Sequence, residues 1–339
     1  MKKVLITGIS GFIAQHCAAQ LLIKGYVVKG SIRSEQKKEE IKKGFIKNKI
    51  PINKLEFCNL DLLSDEGWEQ AMQDCDYVFH IASPYNIKVP NDENKIIKPA
   101  VEGTLRALKF AKKARIKRLI LTSSIVAMMG KDSNTNKNLK PSHWTNLDWD
   151  DITPYIKSKT LSELAAWDFI KNQDGEYKLE LSTIHPAAVY GPSITENLNG
   201  ESMSMIVKLI KGKIPLLPKT SIAISDVRDV ALAHVLAIEK EKAKNKRFIV
   251  ASNKAYSIKQ LAEIIKKEGF KKVSLKTAPS MFIRFIAIFN KEAKGMIPFI
   301  DKTISTDNSQ TKDVLDWEPI EVRKTIIDAA HSVKSVLKT

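Results

Sequence analysis

The chain has 339 residues, which is long enough to bury a sizeable core and suggests about two domains. No run of about 18 apolar residues is present, so the sequence predicts no membrane span. The formal net charge of +17 would suit a nucleic acid or an acidic membrane surface. The lysines are spread along the chain without interleaved aromatic residues, so we expect solvated helix faces and no nucleic-acid partner.

Three cysteines, Cys17, Cys58 and Cys75, lie in apolar or helical contexts without the spacing of a metal site. We therefore expect reduced, buried thiols in a cytoplasmic protein, and we expect no metal. The first strand is predicted to begin at residue 3, which leaves no room for a signal sequence.

The amino end carries the pattern of a dinucleotide-binding turn. A short apolar strand ends at Thr7, and Gly8 permits the tight turn that follows. Gly11 lets the main chain approach a pyrophosphate, whose charge is held by free N–H groups where a helix begins at Phe12 and Ile13. Strand, glycine turn and helix in this order favour dinucleotide binding. A structural glycine turn in an unrelated α/β unit is the alternative.

The second predicted strand, residues 26–32, indicates which dinucleotide is bound. An acidic residue near this strand end binds the adenosine ribose in NAD sites, whereas an arginine receives the 2′-phosphate of NADP. Here the strand ends at Arg33, and no carboxylate precedes it within the strand. NADP(H) is therefore favoured over NAD, because an arginine fork pairs with phosphate. Lys37 on the following helix could add to the phosphate site.

Further strands are predicted at 55–59, 77–82, 118–122 and 179–184, with helices between them. This alternation predicts an α/β fold with a doubly wound parallel (Rossmann) sheet. Ligands bind beyond the carboxyl ends of the strands in such sheets. The residues expected at those ends are Asp61, Ala82, Ser83, Ser123 and Ser124.

Two connecting segments are also interpreted from their local pattern. Ser64 is expected to cap a helix that runs through Trp68 and Met72. The polar segment 131–151 is expected to be a surface excursion.

The carboxyl-terminal part is less regular after Gly191 and predicts a smaller substrate-binding domain over the strand ends. Residues 1–190 would then form the dinucleotide-binding domain and 191–339 mainly the substrate domain, with 226–252 returning to the first. The apolar stretch 279–289 is expected to be a core or pocket-wall helix, and a lipid-facing anchor is the alternative.

The most specific chemical pattern joins a tyrosine and a lysine on one predicted helix. Tyr155 and Lys159 are four residues apart and therefore share a helix face. A neighbouring ammonium lowers the pKa of a phenol, which supplies a general acid for a carbonyl oxygen. This spacing alone would indicate a plain helix surface. Together with the glycine turn and the serine pair Ser123 and Ser124, it predicts a catalytic site.

With these motifs the chain resembles an extended short-chain dehydrogenase/reductase, and within that superfamily the dihydroflavonol-reductase-like aldehyde and ketone reductases. The segments that carry the resemblance are 11–14, 78–84, 121–124, 158–169, 185–186 and 191–192. The resemblance implies that Tyr155 protonates the carbonyl oxygen and that Ser124, rather than Ser123, donates a hydrogen bond to it. Lys159 would hold the nicotinamide ribose and tune the tyrosine, and the backbone of 186–189 would meet the nicotinamide amide.

Together, the motifs and the resemblance place seventeen residues around NADP(H). They are Thr7, Gly8, Gly11, Phe12, Ile13, Arg33, Lys37, Asp61, Leu62, Ala82, Ser83, Thr122, Tyr155, Lys159, Pro186, Val189 and Ser202. The substrate would be a small-molecule carbonyl or alcohol. Its pocket walls are expected from 83–87, 125–129, 190–205 and 282–289, mostly apolar stretches that suit an aryl or alkyl carbonyl.

Two departures from the resemblance affect these expectations. Many short-chain reductases relay protons through an asparagine on the long middle helix, and the corresponding position here is near Ala100. Segment 153–157 also lacks the aromatic and cysteine-rich run of cinnamoyl-CoA reductases, which argues against a CoA thioester. A nucleotide-sugar epimerase or dehydratase, a hydroxysteroid-type dehydrogenase and a non-enzymatic dinucleotide-binding scaffold are the alternatives. Both a monomer and a homodimer are compatible with the resemblance.

Overall fold

A computed structural model describes residues 1–84, 89–129, 136–196, 198 and 200–337. The strands are β1 Lys3–Thr7, β2 Val27–Ser31, β3 Leu55–Cys58, β4 Tyr77–His80, β5 Arg118–Thr122, β6 Asn136–Leu139, β7 Glu180–Pro186, β8 Ala188–Tyr190, β9 Ser221–Ile222, β10 Ile224–Asp226, β11 Arg247–Val250, β12 Tyr256–Ser257 and β13 Thr303–Thr306.

The helices are α1 Phe12–Ile23, α2 Glu35–Lys47, α3 Trp68–Met72, α4 Asn94–Lys113, α5 Pro154–Lys171, α6 Glu201–Ile210, α7 Val227–Glu239, α8 Ile258–Lys267, α9 Ser280–Ala287, α10 Lys291–Met296, α11 Ser309–Leu315 and α12 Val322–Leu337. Short 3-10 turns lie at Ile125–Met128, Glu241–Ala243 and Ile297–Phe299. Within the described ranges, no helix is long and apolar enough to cross a bilayer.

Seven parallel strands form the central sheet in the order β11-β7-β5-β4-β1-β2-β3. The strand order reverses between β1 and β4, so a crevice opens beyond their carboxyl ends, where ligands bind in open α/β sheets. The predicted doubly wound Rossmann sheet is confirmed.

Both faces of this sheet are covered by helices because its strands are apolar on both sides. On β1, Val4 and Ile6 point into the core that contains α1 and α7, whereas Leu5 points into the core that contains α4. All three side chains are fully buried. This alternation explains why a continuous apolar run, rather than an alternating one, marked the strand in the sequence.

A second region lies over the carboxyl ends of the sheet. It contains a four-stranded mixed sheet in the order β12-β9-β13-β6 and the parallel pair β8 and β10. Helices α6, α8 and α12 share a separate hydrophobic core with Tyr190 and Leu217. This core supports the outer wall of the cavity described below.

One local prediction was wrong and a second was incomplete. Ser64 does not cap α3: its Oγ accepts from the Glu66 N–H at 3.2 Å within a turn, and the helix begins at Trp68 after Gly67 at φ +79°. In the predicted surface excursion 131–151, residues 131–135 lie outside the described part of the chain, and the remainder contains β6, which pairs with β13 in parallel. That partner lies more than 160 residues further along the chain, so local polarity could not reveal it.

Candidate active site

The glycine turn after β1 has the backbone geometry that a pyrophosphate requires. Gly8 adopts φ +68°, and a Cβ on it would lie 3.0 Å from the Cβ of Ala82. Helix α1 begins after Gly11, which supplies no side-chain cap, and its first turn contains no acidic residue. The N–H groups at the start of α1 are therefore available to an anion, and the turn fits a dinucleotide phosphate.

Thr7 lies behind this turn and joins the end of β1 to the residues that follow β4. Its Oγ1 accepts hydrogen bonds from the N–H groups of Ile81 and Ala82, both at 3.0 Å, and it lies 3.1 Å from His80 Nδ1. Because the hydroxyl already accepts twice, it donates to the imidazole. Thr7 is buried, so it shapes the turn that joins the ends of β1 and β4.

The residues predicted to bind the adenosine part of the cofactor lie beyond β2 and β3. The Arg33 side chain is 76% exposed, and its Nη1 lies 3.6 Å from Asp61 Oδ2. Such an exposed pair is worth at most about 1 kcal/mol, so Arg33 can exchange it for a phosphate. Lys37 is exposed in the first turn of α2, and Leu62 packs against Gly103 of α4.

The three predicted catalytic residues reach the cavity from two elements. Ser124 follows β5, and its Oγ donates to the Pro186 carbonyl over a long 3.4 Å. Tyr155 lies in the first turn of α5, which Thr153 caps by accepting from the Ile156 N–H at 3.3 Å. Lys159 follows one turn later. A helix start fixed by a cap and by a proline at its first position sets the direction of the tyrosine.

Lys159 is buried, and its Nζ donates to the Thr122 carbonyl at 3.0 Å. Burial lowers the pKa of its ammonium to about 8, although the carboxylate of Glu163 opposes the shift. The same ammonium adds to the effect of burial on His80, whose pKa falls to about 3. The site therefore combines a neutral imidazole with a lysine that titrates close to physiological pH.

One cavity of about 950 Å³ brings most of the predicted residues together. The predicted residues that line it are Gly11, Phe12, Ile13, Ser83, Thr122, Ser123, Ser124, Tyr155, Lys159, Pro186, Val189 and Ser202. Seven predicted residues lie outside its lining. Thr7, Gly8 and Ala82 lie at or behind the glycine turn, and Arg33, Lys37, Asp61 and Leu62 lie beyond β2 and β3. Ala100, the position noted for a missing asparagine, is buried in α4.

Some of the residues predicted to form the pocket walls line the cavity. Ile125, Val126, Tyr190, Met203 and Met205 line the cavity. Residues 85–87 lie outside the described part of the chain, as do 197 and 199. Wall residues that the sequence did not indicate include Lys208, Lys213, Ile214, Pro215, Leu216, Pro218, Asn290, Glu292 and Phe299. They come from loops and short helices whose folding onto the cavity depends on distant partners.

Comparison with known proteins assigns this arrangement to a family. Residues 4–251 match the NAD dependent epimerase/dehydratase family. The chain belongs to this family. It is 35% identical to a cinnamoyl-CoA reductase of Medicago truncatula over 75% of this chain and 77% of that protein. It is 29% identical to the NADPH-dependent methylglyoxal reductase of Saccharomyces cerevisiae over 78% and 82% of the two chains.

A solved structure extends this comparison to nearly the whole fold. The yeast methylglyoxal/isovaleraldehyde reductase, crystallised with NADPH, matches with a TM-score of 0.80 at 25% identity over 99% of each chain. The predicted resemblance to extended short-chain reductases of the dihydroflavonol-reductase-like branch is confirmed.

A fully buried carboxylate behind the catalytic residues was not predicted to take part in the site. Glu163 lies one turn after Lys159 on α5 and accepts hydrogen bonds from five side chains. Their donor atoms are Ser123 Oγ at 2.7 Å, Trp167 Nε1 at 3.1 Å, Thr183 Oγ1 at 3.2 Å, His185 Nε2 at 2.8 Å and Arg247 Nε at 2.8 Å. The sequence signal was a glutamate four residues after Lys159, on the same helix face.

The charges in this buried group are balanced within the protein. Burial alone would raise the pKa of Glu163, but His185 and the guanidinium of Arg247 outweigh it and hold that pKa well below its usual range. Burial lowers the pKa of His185, although the Glu163 carboxylate opposes this shift, and the imidazole Nε2 donates to that carboxylate. Glu163 thus fixes Ser123 and His185, the neighbours in sequence of Ser124 and Pro186.

Proposed function

We propose that this protein is an NADPH-dependent reductase that converts an aldehyde or a ketone to an alcohol. The observation that carries the proposal is the presence of Ser124, Tyr155 and Lys159 in one cavity with the open glycine turn at Gly11. Its relatives named as methylglyoxal and cinnamoyl-CoA reductases act on carbonyl compounds, which supports the same reaction class.

The side chains of the cavity divide the chemistry between them. The bound NADPH supplies the hydride that the carbonyl carbon receives. Tyr155 gives its phenolic proton to the carbonyl oxygen, which becomes the alcohol. The Ser124 hydroxyl donates to the Pro186 carbonyl over a long 3.4 Å and accepts from the Val126 N–H at 3.4 Å, so it can turn to donate to the substrate carbonyl oxygen as negative charge develops there. The Lys159 ammonium favours loss of the tyrosine proton and holds the nicotinamide ribose.

Residues around the cavity would hold the rest of the cofactor. We assign the pyrophosphate to the glycine turn, together with Ser202 of α6, which lines the same cavity, and the nicotinamide amide to the backbone of 186–189. Ser83 and Thr122 line the cavity at the ends of β4 and β5. Asp61 and Leu62 would flank the adenosine, with Arg33 and Lys37 on its 2′-phosphate. The enzyme would act in the cytoplasm on small molecules, as a monomer or a homodimer.

Replacing Arg33 with serine is expected to weaken NADPH binding by about 10-fold to 100-fold, because a charge-assisted hydrogen bond contributes about 1.5–3 kcal/mol. NADH binding should change little, since NADH lacks the 2′-phosphate. The measurement is cofactor affinity by fluorescence titration, with the exposed Arg115→Ser as the control. Equal losses for both cofactors would contradict the assignment of Arg33 to the phosphate.

The rate of carbonyl reduction is expected to fall as the pH rises through about 8, where Lys159 loses its proton. Below that pH the ammonium is present and supports Tyr155, and above it the neutral amine does not. The measurement is kcat/KM between about pH 6 and about pH 10, which reports groups of the free enzyme. Lys157 is half-buried and pairs with Glu93, and the Lys157→Arg variant should keep the same profile. A rate that stays level across this range would refute the role of Lys159.

The proposed function is tested by following NADPH oxidation with a panel of aryl and alkyl aldehydes, ketoesters and diketones, with NADH in parallel. Turnover that prefers NADPH and requires Tyr155 would support the proposal and rank the substrates. If no carbonyl is reduced and a dinucleotide stays bound through purification, nucleotide-sugar epimerisation or dehydration becomes the better assignment.

A further inference from the structure

Helix α9 and the residues directly after it expose an apolar surface that faces solvent. Five side chains form it: Met281 is 83% exposed, Phe282 47%, Phe285 62%, Ile288 70% and Phe289 80%. The rings of Phe285 and Phe289 meet edge to face with centroids 6.0 Å apart. Isolated exposed apolar residues are common, but a contiguous group of this size marks an interaction site. We call these five residues the apolar tip.

The opposite face of α9 packs against the rest of the protein. Ile283 is buried against Ala278 and Ile300, and Ile286 lines the cavity. A rotation of α9 that hid the apolar tip would expose these residues instead. The helix is therefore apolar on both faces, with one face in the protein and the other available to a partner.

Basic residues are in excess in the segment that carries the apolar tip and in a second segment that contacts it. Segment 208–219 contains four lysines and no acidic residue, and segment 276–302 contains five basic residues and two acidic ones. The two segments are joined, since the Ala278 N–H donates to the Leu217 carbonyl at 2.8 Å and Lys208 pairs with Glu292. The other acidic residue, Asp301, accepts from Ser280 Oγ at 2.5 Å. The two joined segments therefore keep an excess of basic over acidic residues next to the apolar tip.

We propose that the apolar tip inserts into the interface of an anionic lipid bilayer and anchors the protein peripherally. Phenylalanine, isoleucine and methionine would enter the acyl boundary while the surrounding lysines and Arg284 reach the headgroup phosphates. Each basic residue near such a surface contributes about 1 kcal/mol. A second copy of this chain fits less well, because it would bring the same positive charge to the contact. The proposal does not depend on the reaction proposed above.

The test is co-sedimentation of the full-length protein with vesicles of phosphatidylcholine alone or with about one-third phosphatidylserine. The protein is expected to bind the anionic vesicles and to be released by salt. The double variant Phe285→Ser/Phe289→Ser should bind at least about 10-fold more weakly, because two exposed apolar side chains are lost and the core is unchanged. Ile23→Ser/Ile46→Ser, which removes two exposed isoleucines elsewhere, is the matched control and should bind like the wild type.

Three results would overturn the proposal. Failure of the wild type to bind anionic vesicles excludes a lipid anchor. Equal binding by the phenylalanine variant would mean that charge alone, and not the apolar tip, holds the protein at the vesicle. A dimer in sedimentation velocity that the same variant dissociates, without vesicle binding, would assign the surface to a second copy of the chain.

Discussion

Replacing Tyr155 with phenylalanine is expected to lower kcat for carbonyl reduction by about 10³-fold, within the range that a positioned general acid contributes. The substitution removes only the phenolic oxygen. The ring remains in the first turn of α5, whose start is set by Thr153 and Pro154. NADPH affinity and thermal stability should therefore stay close to those of the wild type, so that the loss is confined to the chemical step.

The measurement is steady-state NADPH oxidation at saturating carbonyl, paired with a titration of NADPH binding. Tyr26→Phe is the matched control, because its hydroxyl contacts Glu239 at 3.2 Å on the surface and takes no part in the cavity. Turnover by the Tyr155 variant within about 10-fold of the wild type would transfer the role of proton donor to another group.

Replacing Glu163 with alanine is expected to destabilise the fold by about 3–5 kcal/mol, because it removes one partner of a buried ion pair. The guanidinium of Arg247 would lose its buried counter-ion, and the hydroxyls of Ser123 and Thr183 would lose their acceptor. The measurement is the urea unfolding midpoint, converted to a free energy with the slope of the transition.

The control for this experiment is Glu69→Ala. Glu69 is exposed and pairs with Lys113 at 2.7 Å, so its removal should change the free energy of unfolding by less than about 1 kcal/mol. The isosteric Glu163→Gln keeps the shape but loses the charge, and we expect an intermediate loss. If Glu163→Ala lowered the free energy of unfolding by no more than Glu69→Ala, the buried carboxylate would not stabilise the fold.

The sequence was most informative where one segment alone determines the structure. The predicted strand 118–122 coincides with β5, because a strand buried on both faces is marked by a continuous apolar run. The glycine turn depends on a positive φ at Gly8 and on a helix start without a side-chain cap, and both follow from residue type. The spacing of Tyr155 and Lys159 likewise placed both on one helix face and in one cavity.

Features that depend on distant partners could not be predicted in this way. The distant partners of Glu163 come from the residue after β5, from β7 and from β11, and nothing local indicates that Arg247 would reach the carboxylate. The pairing of β6 with β13 could not be predicted either, because the two strands are far apart in the sequence. The stretch 279–289 was predicted as a core or pocket-wall helix, and its apolar composition could not show that one face would line the cavity while the other stays exposed.

The position of β11 has a consequence for how the chain folds during its synthesis. Strand β7 pairs with β5 on one side and with β11 on the other, yet β11 follows only after the segment 187–246. Until it is translated, β7 presents an open edge of unpaired N–H and C=O groups, and Glu163 lacks the guanidinium of Arg247. A nascent chain that already contains the predicted catalytic residues therefore still lacks one strand of the central sheet. The central sheet can be completed only after residue 250 leaves the ribosome.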